Sequence, residues 1–212
     1  MAVDLPFAAA CERNKLPIFA VLKEALPEKG TVLEIGSGTG QHIVFFAAQQ
    51  PQLHWQPSDR KEYLPGLSRR LAADGCSNVL PLIELDVMQS WPEQNFAAVY
   101  SANTAHIMDW QAVCAMFEGV SQRLLPGGPF CLYGPFNEGG TFTAPSNAAF
   151  DAQLKRENPA MGIRDIEALE TLASSQQMVL QRRFSLPANN QLLLFRLNRQ
   201  GSAGTPGRST HD

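Results

Sequence analysis

Three glycines spaced two apart, Gly36, Gly38 and Gly40, close an apolar run, and polar residues suited to ligand work follow at intervals along the chain. A turn built on glycine leaves peptide N–H groups bare, so a ligand can approach the backbone itself. Asp59 lies 23 residues beyond Gly36 (59 − 36), close to the interval at which an acid ends the second strand of a doubly wound sheet and accepts hydrogen bonds from ribose hydroxyls. Capping of the following helix is the other role open to it. Asp86 ends a third apolar run, and Asn103 and His106 follow a fourth. An imidazole titrates near neutral pH, so His106 is a candidate general base, with helix packing or capping as its alternative. Together these types describe a nucleoside-bearing cofactor beside a site of proton transfer.

The elements that must position these residues read as alternating strands and helices. Thr31–Ile35 is a buried strand entering the glycine turn, and His42–Gln50 suits a helix. Leu53–Asp59, Val79–Asp86, Phe96–Asn103 and Pro129–Gly134 are further strands, with helices at 62–74 and 112–125 between them. Open α/β sheets bind ligands beyond the carboxyl ends of their strands, which places Asn103, Thr104 and His106 at the reacting end. Residues 5–26 carry helical spacing interrupted by Pro17, giving two short helices with the polar cluster Glu12-Arg-Asn-Lys15 between them. That cluster is either a solvated turn or a source of partners, Arg13 or Asn14, for a ligand carboxylate. Residues 135–165 are irregular and leave the ligand end of the sheet, as a lid carrying substrate contacts would. Tyr133, Phe136, Asn137, Phe142, Asn147 and Arg164 are its candidate substrate residues. A helix at 165–176 and strands at 178–186 and 191–197 follow, joined by the turn Pro187-Ala-Asn-Asn190, and residues 199–212 form a small polar tail expected to be disordered.

A dinucleotide fingerprint requires a third glycine at position 41, which is Gln41. The pattern Glu34-x-Gly36-x-Gly38-x-Gly40 instead resembles the first motif of class I S-adenosylmethionine-dependent methyltransferases. The blocks Glu12–Lys15, Val32–His42, Trp55–Asp59, Glu84–Val87, Tyr133–Phe136, Ser146–Asp151, Gly162–Asp165 and Pro187–Asn190 resemble the methyltransferase-like 26 family across nearly the whole chain except its tail. The resemblance implies an α/β doubly wound, Rossmann-like fold with a mixed seven-stranded sheet over residues 1–198. It implies S-adenosyl-L-methionine as cofactor, held by Arg13, Asn14, Glu34, Gly36, Ser37, Gly38, Gly40, Gln41, Asp59, Asp86, Val87 and Asn103. In class I methyltransferases the counterpart of Asp86 reaches the adenine amino group, with the following side chain, here Val87, against the ring. His106 and Asn103 are the candidate catalytic residues, and a small molecule is the expected methyl acceptor. Fourth-strand enzymes that methylate amide or nucleobase nitrogens end that strand in Asn-Pro-Pro-aromatic, which is absent here. A binding module without catalysis, a nicotinamide-dependent oxidoreductase, and methylation of a protein or nucleic acid are the rival readings.

Composition narrows the classes. The chain of 212 residues is 44% hydrophobic and 17% charged with a formal charge of −3, so no electrostatic case for nucleic acid arises. Cys11, Cys76, Cys114 and Cys131 are widely separated and no histidine pair has ligand spacing, so neither a disulfide framework nor a metal site is expected. No run of eighteen apolar residues indicates a membrane span, and the opening residues carry no basic and apolar leader pattern, which makes a cytoplasmic protein the expectation. The oligomeric state has no sequence signal.

Overall fold

A computed structural model describes residues 5–198, and the tail expected at 199–212 lies outside them. Strands β1 (Gly30–Ile35), β2 (Leu53–Asp59), β3 (Ile83–Glu84), β4 (Ala98–Ala102), β5 (Pro129–Gly134), β9 (Met178–Leu186) and β10 (Asn190–Leu197) form one sheet in the order β3-β2-β1-β4-β5-β10-β9. The first five run parallel, and β10 returns antiparallel to β5 and to β9. This is the expected mixed seven-stranded α/β sheet. Chain order reverses between β1 and β4, and a crevice opens at such a switch point.

Successive residues of the central strands alternate between two cores, because side chains on a strand point to opposite faces. Val32, Ala98, Tyr100, Cys131, Leu192 and Leu194 face helices α1 (Ala9–Ala25) and α2 (Gln41–Gln49). Leu33, Val99, Phe130, Leu132, Leu193 and Phe195 face α4 (Trp110–Arg123) and α6 (Ile166–Ser175). On that second face Phe117, Phe130 and Phe195 pack ring to ring at 5.3, 5.3 and 5.9 Å. Helix α3 (Leu64–Asp74) follows β2 in the chain and packs against α2. Among the described residues no helix is long and apolar enough to cross a membrane.

Three local expectations are corrected. Pro17 lies inside one continuous helix, α1, instead of separating two, and the Glu12–Lys15 cluster is helical. A proline removes one intrahelical bond, which burial of Ile18, Val21, Leu22 and Ala25 in the following turns outweighs. The third strand is reduced to Ile83–Glu84 with a single bridge at Trp55–Val79, because Pro81 has no N–H for the ladder. The segment 135–165 is not irregular: β6 (Phe136–Glu138), β7 (Thr141–Phe142) and β8 (Arg164–Asp165) form a small sheet, and α5 (Pro145–Glu157) is a helix of 13 residues. Pro145 at its first turn has the fixed φ a helix start requires.

Gly119 of α4 faces the Trp91 indole so closely that an added Cβ would lie 2.0 Å from a ring carbon. Gly119→Ala gains about 1 kcal/mol of helix preference but overpacks the core. A net loss of about 1–3 kcal/mol is expected in urea unfolding. A gain would mean that the indole moves aside freely.

Candidate functional site

The ends of β1, β2, β3 and β4, with α1 and α5 above them, enclose a cavity of about 1270 Å³. Its floor is the turn after β1. Gly36 has φ +72°, and a Cβ there would meet the Thr104 methyl at 2.7 Å. Gly38 has φ +54°, and a Cβ there would meet only the Gly36 carbonyl, at 4.0 Å, so its bareness keeps cavity space open. The turn is tied to β2 by Ser37 N–H donating to the Ser58 carbonyl (2.9 Å) and Gly38 N–H donating to Asp59 Oδ2 (2.7 Å).

Asp59 accepts a second bond from Arg60 N–H at 2.8 Å. It does not cap α3, whose N-cap position is Tyr63. Burial raises its pKa, against the lowering effect of the two N–H donors. Asp86 accepts from Met88 N–H at 2.9 Å, shaping the turn that presents Val87 and Met88 to the cavity. Asn103 holds a left-handed backbone (φ 58°), and its N–H donates to the Tyr133 carbonyl at 2.9 Å.

His106 is 5% exposed at the cavity wall, with its ring edge-on to Phe150 at 5.2 Å. Burial first, then the nearby Arg164 charge, lowers its pKa to about 4, so the imidazole is neutral at physiological pH. On the opposite wall, His42 Nε2 lies 2.7 Å from Asn14 Oδ1, and Tyr100 Oη lies 3.2 Å from His42 Nδ1. The arrangement in which Tyr100 donates to His42, and His42 to Asn14, satisfies every atom of this relay. The Asn14 and Asn190 side chains in turn flank the Tyr133 hydroxyl, whose pKa is raised by burial.

Arg13, Asn14, Gly36, Ser37, Gly38, Asp59, Asp86, Val87, Asn103, His106, Tyr133 and Asn147 all line the cavity. Seven expected residues do not. Glu34 lies beneath the floor, 2% exposed. Gly40 packs on Arg70 and Leu67. The Gln41 amide binds Ala8 N–H, Thr39 and Glu12, which docks the N-terminal segment on α2. Phe136 belongs to the core, and Asn137 Oδ1 is buried without a partner among the described residues. Arg164 points away from the cavity to backbone carbonyls. Phe142 is exposed on β7. His42, Phe150 and Asn190 also line the cavity, each within one of the sequence blocks named above, and Cys11, Met108 and Met161 join them with no sequence signal.

Glu34 Oε2 has no hydrogen-bond partner among the described residues, and burial raises this carboxyl from an ordinary 4.5 to about 8. The folded state therefore holds a proton that the unfolded state releases between pH 4.5 and 8, and its stabilising effect is lost as pH rises through that window. Buried His42 and His106, both lowered to about 4, act in the other direction, and stability falls as pH drops from 6.5 to 4. Glu34→Gln is expected to flatten the alkaline side only, so its Tm advantage over the unaltered protein grows from pH 5 to pH 8, with a slope of about 1.4 kcal/mol per pH unit as the upper bound. Parallel Tm profiles would refute the buried proton.

Solved methyltransferases share this architecture. The mitomycin 7-O-methyltransferase MmcR superposes with a TM-score of 0.77 at 14% identity, covering 89% of this chain and 54% of that one. An O-methyltransferase family protein from Burkholderia thailandensis gives 0.76 at 16%, covering 91% and 58%. CalO1, a methyltransferase in calicheamicin biosynthesis in its SAH-bound form, gives 0.70 at 17%, covering 87% and 54%. The chain spans a little over half the length of these proteins, and the likeness establishes a Rossmann-like methyltransferase fold. A family model described as "Protein of unknown function (DUF938)" matches residues 5–197, and the chain belongs to that family.

Proposed function

We propose that this protein is an S-adenosylmethionine-dependent methyltransferase acting on a small molecule. The observation that carries the reading is convergence: the bare glycine turn, Asp59 and Asp86 come from three successive strand ends and face one cavity. At about 1270 Å³ that cavity exceeds the roughly 300–1,000 Å³ of a single-ligand pocket, leaving room for a cofactor and an acceptor together. The SAH-bound form of CalO1 and the resemblance to the methyltransferase-like 26 family support the same cofactor.

The residues present fit that group. Asp59 offers carboxylate lone pairs to ribose hydroxyls, and Asp86, Val87 and Met88 form an edge and a face for adenine. Gly36 and Gly38 admit the amino-acid chain against the backbone. Arg13 lines the cavity, and a guanidinium is a suitable partner for the amino-acid carboxylate. When bound, the cofactor supplies a methyl carbon activated by a sulfonium. The protein's share is then alignment of the acceptor and exclusion of water. Neutral His106 takes the proton of a protonated acceptor, and Asn103, fixed by its left-handed backbone, borders the same space. Phe150 and Asn147 of α5 close the cavity over the acceptor.

Calorimetric titration tests the cofactor. S-adenosylhomocysteine is expected to bind saturably and NAD not at all, and Asp59→Ala to weaken binding by at least about tenfold, the loss of a hydrogen bond to a charged group. Folded, unaltered protein that binds no S-adenosylhomocysteine would overturn the assignment.

A further inference from the structure

The run Gly162-Ile-Arg-Asp165 stands outside the cavity, yet each of its residues bonds to a separate part of the molecule. Gly162 N–H donates to the His106 carbonyl at 2.9 Å, and Ile163 N–H to Asp151 Oδ1 of α5 at 2.8 Å. Asp165 accepts from Gly140 N–H at 2.6 Å and caps α6 through Glu167 N–H at 3.2 Å. The Arg164 guanidinium donates to the carbonyls of Ala105 (2.9 Å), Ala160 (3.1 Å) and Met108, and it lies over the Trp110 ring.

Three carbonyls of one short loop, those of residues 105, 106 and 108, are thus satisfied from this run. The loop's own bonds are two turns onto Thr104, from Ile107 and Met108. Such a loop, half-turned and carrying a buried imidazole, needs acceptors met from several directions at once. A guanidinium presents its five donors in a rigid fork, whereas an ammonium is a single point of charge. The same run binds α5, whose Phe150 contacts the His106 ring.

We propose that Arg164 is the positioning residue for His106: its fork fixes the loop between β4 and α4 so that the imidazole faces the cavity, and it couples that loop to α5. The catalytic meaning of this placement rests on the methyltransferase reading, but the placement itself does not. Other charges near the pair are Asp109 at the start of α4 and Asp151 of α5, the latter joined to Lys155 at 2.7 Å.

NMR titration of the histidine rings in the full chain tests this, comparing unaltered protein with Arg164→Met and Arg164→Lys, with His42 as the internal reference. In Arg164→Met the His106 midpoint is expected to rise by about half a pH unit or more, as both burial and the facing cation are relieved. His42 stays in place, and S-adenosylhomocysteine affinity stays within about twofold, since Arg164 lies outside the cavity. Arg164→Lys keeps the charge without the fork, so amide exchange at Ile107 and Met108 is expected to quicken about tenfold while that of β1 is unchanged. An unmoved His106 midpoint, an equal movement of His42, or unchanged exchange at Ile107 and Met108 overturns the proposal. If Arg164→Met does not fold, the exchange measurement on Arg164→Lys decides alone. Absence of S-adenosylhomocysteine binding in the same samples would strike the cofactor reading and leave this one standing.

Discussion

The bond from Gly38 N–H to the Asp59 carboxylate is the constraint on which the site depends. A parallel pair of strands leaves its carboxyl-end loops without ladder partners, and buried peptide groups there must be satisfied by some other means. Here the glycine turn finds its acceptors on the neighbouring strand, at Ser58 and Asp59, so the cavity floor and its acidic wall are set by the same two contacts. Ser101 continues the pattern by donating to the Ile35 carbonyl at 2.8 Å and meeting Thr104 at 2.7 Å, which carries the register from β1 into β4. The floor is consequently preorganised by the scaffold before any ligand arrives, the condition under which oriented backbone dipoles contribute most.

Around that floor three buried titratable groups are held neutral by burial. Glu34 beneath it holds a proton to about pH 8, and His42 and His106 on its walls refuse one until about pH 4. The histidines differ in purpose despite this shared state. His42 is locked between Tyr100 and Asn14, so its tautomer is determined and its ring serves to orient an amide. The His106 ring has no side-chain hydrogen bond among the described residues and opens on the cavity. A neutral imidazole without a side-chain partner keeps hydrogen-bonding capacity for a ligand in the cavity, while a locked one transmits geometry.

The fold was legible wherever one physical signal acted alone. Apolar runs placed β1, β2 and β5 within a residue or so, since each of these strands is buried along most of its length. Reading failed where two influences competed. Pro17 signals a break, but the apolar turns after it bury enough surface to carry α1 through. The apolar run 79–86 has the composition of a strand, and Pro81 removes its pairing. Within the site, spacing found the residues held by backbone geometry, Gly36, Gly38, Asp59 and Asp86. Residue type did not reveal which way a long polar side chain turns: Gln41 and Arg164 are both suited to ligand contact, and both are engaged by protein groups instead. Unsatisfied carbonyls draw such side chains inward, and their positions are a tertiary fact that no local pattern encodes.

Helix α5 sits over the cavity by a particular kind of attachment. Asn147 reaches Thr143 and the Asn189 carbonyl, Ser146 receives the Asn189 amide, and Asp151 receives Ile163 N–H, while Leu154 is its one fully buried apolar side chain. Hydrogen bonds exchanged for water cost little net free energy, whereas exposing a core costs far more. The cover is therefore attached mainly through polar contacts at its rim, and little of either hydrophobic layer is built from it.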